Sequence, residues 1–482
     1  MTDVRFRLAP SPTGFLHLGN LRTALFGYLL AKSMKGKYIL RIEDTDQKRE
    51  VTGAIDSLID ILKWVGITFD EGPFGSAQGR PYIGDYGPYI QSQRLDIYKK
   101  YTDELLAKGG AYRCFCSAER LTKMREEQAA RHKPPRYDRT CRNLSREEVE
   151  ARVANNESFV IRQSLPLSGE IKVVDELRGE IIFQVADLED QVLIKSDGVP
   201  TYQFASVVDD YLMRISHVTR GEEWLPSFPK NILLYQAFGW TPPKFIHLPL
   251  ILNKGGGKLS KRQGDVFVED YKKRGYLPEA LINFCALLGW HPKNDKEIFS
   301  LKELEKEFNI DGLGASPAIF DQDKLDYLNG YYIRQMTKEK FAELAKPYLP
   351  TGNFNTVLVS GALSSTQSRI KYFSEIPTLI KPWFGPEDYG VELLIWKDLT
   401  KEQVKVNLLE LKDKIDNLPD FTKIETEILN WLKKSGKKNG DYLWPMRVAL
   451  TGLKDSEGPF KMALDCGKAE TLTRITAAIN KL

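Results

Sequence analysis

From Leu18 to Lys35 the apolar positions Leu21, Ala24, Leu25, Tyr28 and Leu29 recur at helical spacing, and Gly36 ends the pattern. On either side the period changes to two. Val4 to Ala9 alternates and predicts a strand, broken by Pro10, Pro12 and Gly14. Lys37 to Ile42 predicts a second strand. Strand, helix and strand make a βαβ unit with a right-handed crossover. Ligands of such sheets bind at the carboxyl ends of the strands. The turn His17 to Asn20, at the helix start, and Glu43 with Asp44, just past the second strand, both fall there.

The pattern shifts between about Cys114 and Lys195. Arg125 to Arg142 is polar and basic and is interrupted by Pro134 and Pro135, so this region reads as an insertion. Sheet-like sequence returns near Gly198 to Tyr202. Phe245 to Leu252 predicts an apolar strand, followed by the glycine hinge Gly255 to Gly257. After about Asp270 the spacing is mostly helical, and Glu387 to Leu482 mixes Lys and Glu with regular Leu and Ile, as in a compact helical domain.

Composition narrows the class. A chain of 482 residues should form roughly two to four domains. Its 42% hydrophobic and 28% charged residues suit a soluble globular protein. A net charge of +4 is too small to identify a nucleic-acid binder; a local basic surface would matter more. No apolar run approaches the roughly 20 residues needed to cross a bilayer, and Met1 to Arg5 lacks a signal-peptide pattern. No membrane partner is expected. Five cysteines, two of them only two positions apart, argue against a disulfide framework and for a reducing, cytoplasmic setting.

Two distant motifs point to one chemistry. Ser11 to Asn20 contains a His-x-Gly-x turn, His17 to Asn20, and Lys258 to Arg262 carries a lysine pair beside the glycine hinge. Attack on an α-phosphate builds charge on its oxygens and on the departing pyrophosphate. A helix N-terminus with positioned donors, and two mobile lysines, would stabilise that charge. His17, Asn20, Lys258 and Lys261 are therefore the catalytic candidates, and Gly19 would let a nucleotide approach the backbone. Alone, the first motif reads as a capped helix start and the second as a solvated basic loop; together they point to nucleotidyl transfer from ATP.

The chain resembles the bacterial-type glutamyl-tRNA synthetases, class I aminoacyl-tRNA synthetases. The resemblance runs end to end, through Arg7 to Gly14, Arg41 to Asp46, Gly198 to Tyr202, Val207 to Asp210, Arg220 to Trp224 and Lys258 to Arg262. It continues through Phe320-Asp321, Tyr327 to Gly330 and Pro445 to Gly452. It implies an α/β fold: a Rossmann-type parallel-sheet catalytic domain with an α+β insertion, followed by all-α stem-contact and anticodon-binding domains. The implied bounds are 1–113 and 196–253 for the two catalytic halves, and 114–195 for an acceptor-binding insertion. The lysine loop and stem-contact domain would span 254–335, and the helical anticodon-binding domain 336–482.

The resemblance also implies roles. Arg7 and Arg220 would hold the carboxylates of L-glutamate, Glu43 its amino group, and Tyr202 would add a hydroxyl beside Ser11. An edge-strand arginine facing water is the plain alternative for Arg7. Ser206 stands where relatives often place an asparagine facing the substrate, and Asn20 where the class signature often has histidine. Gly19, Glu223 and Trp224, with His17 and Lys261, would contact ATP, with Mg²⁺ bridging its phosphates. Arg369 matches an arginine that reads the third anticodon base; a surface arginine on a polar helix is its alternative.

Cys114 and Cys116, with Tyr137 and Cys141, resemble a structural Zn²⁺ site in some relatives. The alternative is three inert cysteines. Expected partners are tRNA(Glu), L-glutamate and ATP, and a monomer is expected. The rival readings are a tRNA-modifying glutamylating paralogue, which lacks an anticodon-binding domain; glutaminyl-tRNA synthetase, whose carboxyl half is β-barrel; and a non-catalytic RNA-binding protein. Helical sequence at Phe421 to Lys434 and Gly467 to Leu482 speaks against the second.

Overall fold

The computed structural model describes residues 3–46, 49–75, 81–257, 267–349 and 356–482. They fall into two compact units, one of Met1–Lys272 with Pro278–Lys324, the other of Lys273–Leu277 with Leu325–Leu482.

The strands of the first unit are β1 (Arg5–Leu8), β2 (Lys37–Leu40), β3 (Ala111–Cys114), β4 (Val160–Gln163), β5 (Glu170–Asp175), β6 (Gly179–Gln184), β7 (Val192–Ile194), β8 (His217–Gly221), β9 (Lys244–Leu248), β10 (Ile251–Leu252) and β11 (Ala318–Ile319). Six of them form one sheet in the order β2-β1-β8-β9-β5-β6. All neighbours are parallel except the β5–β6 hairpin. β1 is therefore interior, and Arg5 and Arg7 are buried rather than facing water. Arg5 is neutralised by a bidentate pair with Glu71, at 2.8 and 2.9 Å.

The helix α1 (Leu18–Ser33) makes the expected crossover between β1 and β2. It is apolar on more than one face because it lies between the sheet and the helices Pro278–Leu287 and Leu301–Glu307. Gly27 permits the closest approach: a Cβ there would stand 2.9 Å from Thr219 Oγ1 and 3.1 Å from the Tyr38 ring. Arg22, buried on α1, donates to the Leu288 carbonyl at 3.2 Å and to that of Pro249; burial pulls its pKa down to about 10.

The strands within 114–195 divide between two sheets. β5 and β6 join the main sheet, while β3, β4 and β7 form a three-stranded sheet of their own. Gly198 to Tyr202 is not strand. Pro200 makes an isolated antiparallel bridge to Ile194, and Tyr202 opens the helix Tyr202–Leu212. The strand expected over Phe245 to Leu252 is broken at Leu248, before Pro249, which has no N–H to donate to a ladder.

In the second unit the described residues form helices, with Ile376–Phe384, Lys401–Asp416, Ile424–Lys434, Asn439–Thr451, Pro459–Cys466 and Lys468–Lys481 at its carboxyl end. Buried Arg474 donates to the carbonyls of Pro382 (2.6 Å), Trp383 (3.1 Å) and Leu450 (2.7 Å). One cation thus satisfies the unpaired carbonyls at the ends of two helices. Among the described residues, no helix is long and apolar enough to cross a membrane.

Candidate active site

The carboxyl ends of β1, β2 and β8 open onto a cavity of about 520 Å³. Arg7, Ser11, Asn20, Glu43, Tyr202, Arg220, Glu223 and Trp224 all line it, as does Lys195. Most come from the loops that follow the strands, as the topology requires.

His17 ends the β1–α1 loop as the helix N-cap, and its Nδ1 accepts the Asn20 N–H at 3.3 Å. The first turn of α1 is therefore presented to the cavity through Asn20 and Thr23. Gly19 packs on the histidine, since a Cβ there would lie 3.1 Å from the imidazole. Lys258 and Lys261 lie outside the described residues. The chain beyond them returns to the same turn: Phe267 bridges to His17, and Val268 N–H donates to the Leu16 carbonyl at 3.0 Å.

Arg7 and Arg220 are both buried, on adjacent strands. Arg7 Nε donates to Asp210 Oδ1 at 3.1 Å, and its Nη1 to the Thr219 carbonyl at 3.4 Å. Arg220 meets only neutral acceptors among the described residues: Nε donates to His247 Nε2 at 2.9 Å, and both Nη atoms approach Asn231 Oδ1, at 3.4 and 3.5 Å. Burial lowers its pKa, and the Tyr202 hydroxyl and the more distant Asp210 offset that only in part. Such a guanidinium is poised to take an anion from the cavity.

Glu43 is the complementary charge. Arg41 Nη2 donates to its Oε1 at 2.9 Å, and Gln91 Nε2 reaches the same oxygen at 3.4 Å. Burial pushes its pKa up to about 7, although Arg41 and Arg7 pull the other way. Tyr202 stacks obliquely on Trp224, ring centroids 4.4 Å apart, which sets an aromatic wall. Glu223 folds back over Gly221, where a Cβ would collide with its carboxylate. Ser206 is buried on the Tyr202 helix and does not line the cavity.

Sequence reasoning passed over the layer beneath these groups. Asp210 Oδ1 also accepts from Arg41 Nη1 at 2.7 Å. Asp209 accepts from Arg94 (2.7 Å), Gln91 (2.9 Å) and Tyr98 (2.8 Å). Two aspartates and three arginines, with Glu43, thus close on one another in the core. The signal was present in Arg41 to Asp46 and Val207 to Asp210, but a charged pair in a strand or helix reads first as solvent-facing.

A second cluster lies at the end of β3. The sulfurs of Cys114, Cys116 and Cys141 fall within 4.8 Å of one another, with Cys116 and Cys141 3.5 Å apart. The Tyr137 hydroxyl sits 3.2 Å from Cys114 Sγ and 3.4 Å from Cys116 Sγ. Four donors expected together are thus together. Arg369, in the helical unit, pairs with Glu457 at 3.2 Å and is partly exposed.

The chain is similar to known proteins along its whole length. The family described as class I tRNA synthetases (E and Q), catalytic domain, matches residues 3–327, and an anticodon binding domain matches residues 340–479. A glutamate–tRNA ligase of Clostridioides difficile is 44% identical, and one of Finegoldia magna 43%, each over the whole of both chains. A crystal structure of a glutamate tRNA ligase from Elizabethkingia meningosepticum, in complex with its amino acid, superposes with a TM-score of 0.90. It is 36% identical and covers 99% of each chain.

Proposed function

The chain belongs to the class I tRNA synthetases of the E and Q group, and from that premise we infer that it is an aminoacyl-tRNA ligase that joins L-glutamate to tRNA(Glu) using ATP. The observation that carries the substrate is the pairing of two buried guanidinium groups, Arg7 and Arg220, with one carboxylate, Glu43, around a single cavity. Glutamate offers two carboxylates and one ammonium, the complementary set.

In this reading Arg7 and Arg220 hold the carboxylates and Glu43 the ammonium through Oε2, its Oε1 being taken by Arg41. Tyr202 and Ser11 add hydroxyls. An α-carboxylate oxygen of glutamate attacks the α-phosphorus of ATP, and the bond to pyrophosphate breaks. His17, Asn20 and the amides of the α1 N-terminus stabilise the charge that develops, and Lys258 and Lys261 follow the leaving pyrophosphate. Gly19, Glu223 and Trp224 border the nucleotide. Mg²⁺ carried on the triphosphate offsets its charge. In the second step a terminal ribose hydroxyl of the tRNA attacks the carbonyl carbon of the adenylate and releases AMP. Positioning and fixed charge supply the catalysis, with no covalent enzyme intermediate.

The division of labour we propose gives 114–195 to the tRNA acceptor end and 336–482 to the anticodon, with Arg369 among the anticodon contacts. The Cys114, Cys116 and Cys141 thiols, with Tyr137, fit one tetrahedral Zn²⁺: Zn–S bonds of ~2.3 Å place sulfurs ~3.8 Å apart. The ion would brace the insertion and take no part in the chemistry. A glutamylating paralogue without an anticodon-binding domain is not favoured, since residues 340–479 match one. A β-barrel carboxyl half, as in glutaminyl-tRNA synthetase, is absent from the described residues, which are helical there. The test is ATP–pyrophosphate exchange with tRNA present: exchange with glutamate but not glutamine supports the reading, and exchange with neither overturns it.

A further inference from the structure

Behind Arg220 run two buried groups that the reaction itself does not use. Asp175, at the end of β5, accepts His247 Nδ1 on Oδ2 at 2.7 Å, and also the His247 backbone N–H at 3.0 Å. Its other oxygen accepts the N–H groups of Leu177 and Arg178, each at 3.0 Å. Across the ring, His247 Nε2 lies 2.9 Å from Arg220 Nε. Asp175, His247 and Arg220 stand on three neighbouring strands, β5, β9 and β8, and all three are buried.

The partners fix the proton. A guanidinium Nε–H can only donate, so His247 Nε2 must present its lone pair. Asp175, fully occupied by donors, can only accept, so His247 Nδ1 must carry the hydrogen. The ring is thereby locked neutral in one tautomer. Aromatic rings close the other sides: Phe228 lies 4.8 Å and Phe245 6.0 Å from the imidazole, and Arg220 sits 5.0 Å over Phe245. The charged groups around the imidazole are Asp175, Arg220 and Arg178, the last donating to the His247 carbonyl at 3.4 Å. Burial lowers the His247 pKa despite the hydrogen bond it donates to Asp175, in keeping with a neutral ring.

We propose that His247, oriented by Asp175, is a positioning residue that aims the Arg220 guanidinium into the cavity and leaves its charge available for a substrate carboxylate. The inference rests on the reading of Arg220 as a glutamate contact. A carboxylate in place of His247 would hold Arg220 as firmly but would neutralise it. A neutral acceptor on Nε, with Asn231 on the Nη side, fixes direction without consuming charge.

His247→Leu removes the acceptor, and His247→Gln can return one through its side-chain carbonyl. In ATP–pyrophosphate exchange with tRNA present, His247→Leu should raise the glutamate KM about tenfold or more. The ATP KM should stay within about twofold, and His247→Gln should recover most of the loss. Equal rises in both KM values, an unchanged glutamate KM, or a Gln variant as impaired as Leu would overturn the proposal. Arg220→Ala separates the two levels. If it raises the glutamate KM while His247→Leu does not, only the positioning role fails; if it too leaves that KM unchanged, the glutamate site is misassigned. Histidine ¹⁵N NMR of the parent full-length protein needs no variant to fold. A neutral, Nδ1-protonated His247 at pH 7 supports the proposal; an Nε2-protonated or cationic ring overturns it.

Discussion

Phe267 pairs with His17 across an antiparallel bridge, so the chain that leaves the lysine motif returns to the N-cap of α1. Phe15 adds an edge-to-face contact with the same phenylalanine, ring centroids 6.3 Å apart. On the other side of the motif, Asn253 and Gly257 close a turn through a 2.9 Å hydrogen bond. Phe267, which follows the lysine motif in the chain, is thereby joined to the element that would receive the triphosphate, although 250 positions separate it from His17.

Lys261→Ala should therefore act on the chemical step. Its charge matters most when pyrophosphate departs, so the exchange rate should fall on the order of 10²–10³-fold. The glutamate KM should stay within about threefold. Steady-state exchange kinetics with both substrates varied would show the split; a comparable loss confined to glutamate binding would contradict the assignment.

Asp210 should matter for both stability and substrate binding. It accepts from Arg41 at 2.7 Å and from Arg7 at 3.1 Å, and these two cations hold its pKa below the usual carboxylate range despite burial. Asp210→Asn leaves two adjacent buried guanidinium groups with less counter-charge. Chemical denaturation should show a loss of about 3 kcal/mol, and the glutamate KM should rise because Arg7 is no longer held. A variant as stable as the parent would mean that Asp209 and Glu43 carry the pair alone.

Glu43 sets a pH dependence. Its folded-state pKa is raised to about 7, so the free enzyme carries a neutral carboxyl below that pH and a carboxylate above it. Only the carboxylate holds an ammonium. The kcat/KM for glutamate should rise through about pH 7, whereas kcat, which reports the bound complex, should hold to lower pH because the ligand's charge favours ionised Glu43. A flat kcat/KM profile between pH 6 and pH 8 would show that Glu43 does not contact the amino group.

The cysteine cluster makes a separate claim. Protein purified without chelator should contain one equivalent of zinc, and Cys116→Ser should impair tRNA charging more than ATP binding, since the cluster lies in the insertion and not on the cavity. Thiolate ligands lose protons on binding, so affinity should fall in acid. Metal well below one equivalent, with the three thiols free to react, would show that the site does not form.

The elements that bear the site were legible because their periods are simple. The β1–α1–β2 unit ends within two residues of where spacing placed it, and the His17 turn follows from Pro and Gly punctuation. The three thiols come together in space as the resemblance implied. What sequence could not show was partnership across the sheet. Asp175 and His247 are 72 positions apart, and nothing in either neighbourhood names the other. The β5–β6 hairpin was hidden for a related reason. Its alternating pattern, with Val174 and Ile182 exposed, suits an edge of any sheet, and only the pairing of Asp175 with Phe245 assigns it to this one. Ser206 shows the converse: the resemblance sets it facing the substrate, while on the Tyr202 helix it is buried and is not among the residues that line the cavity.

The most direct test is charging of purified glutamate and glutamine tRNAs with labelled glutamate and ATP. Label should appear on the terminal ribose of the glutamate tRNA, dependent on ATP and abolished by Arg220→Ala at low glutamate concentration. Failure of the parent protein to charge any glutamate tRNA, under conditions where it binds ATP, would contradict the proposed activity.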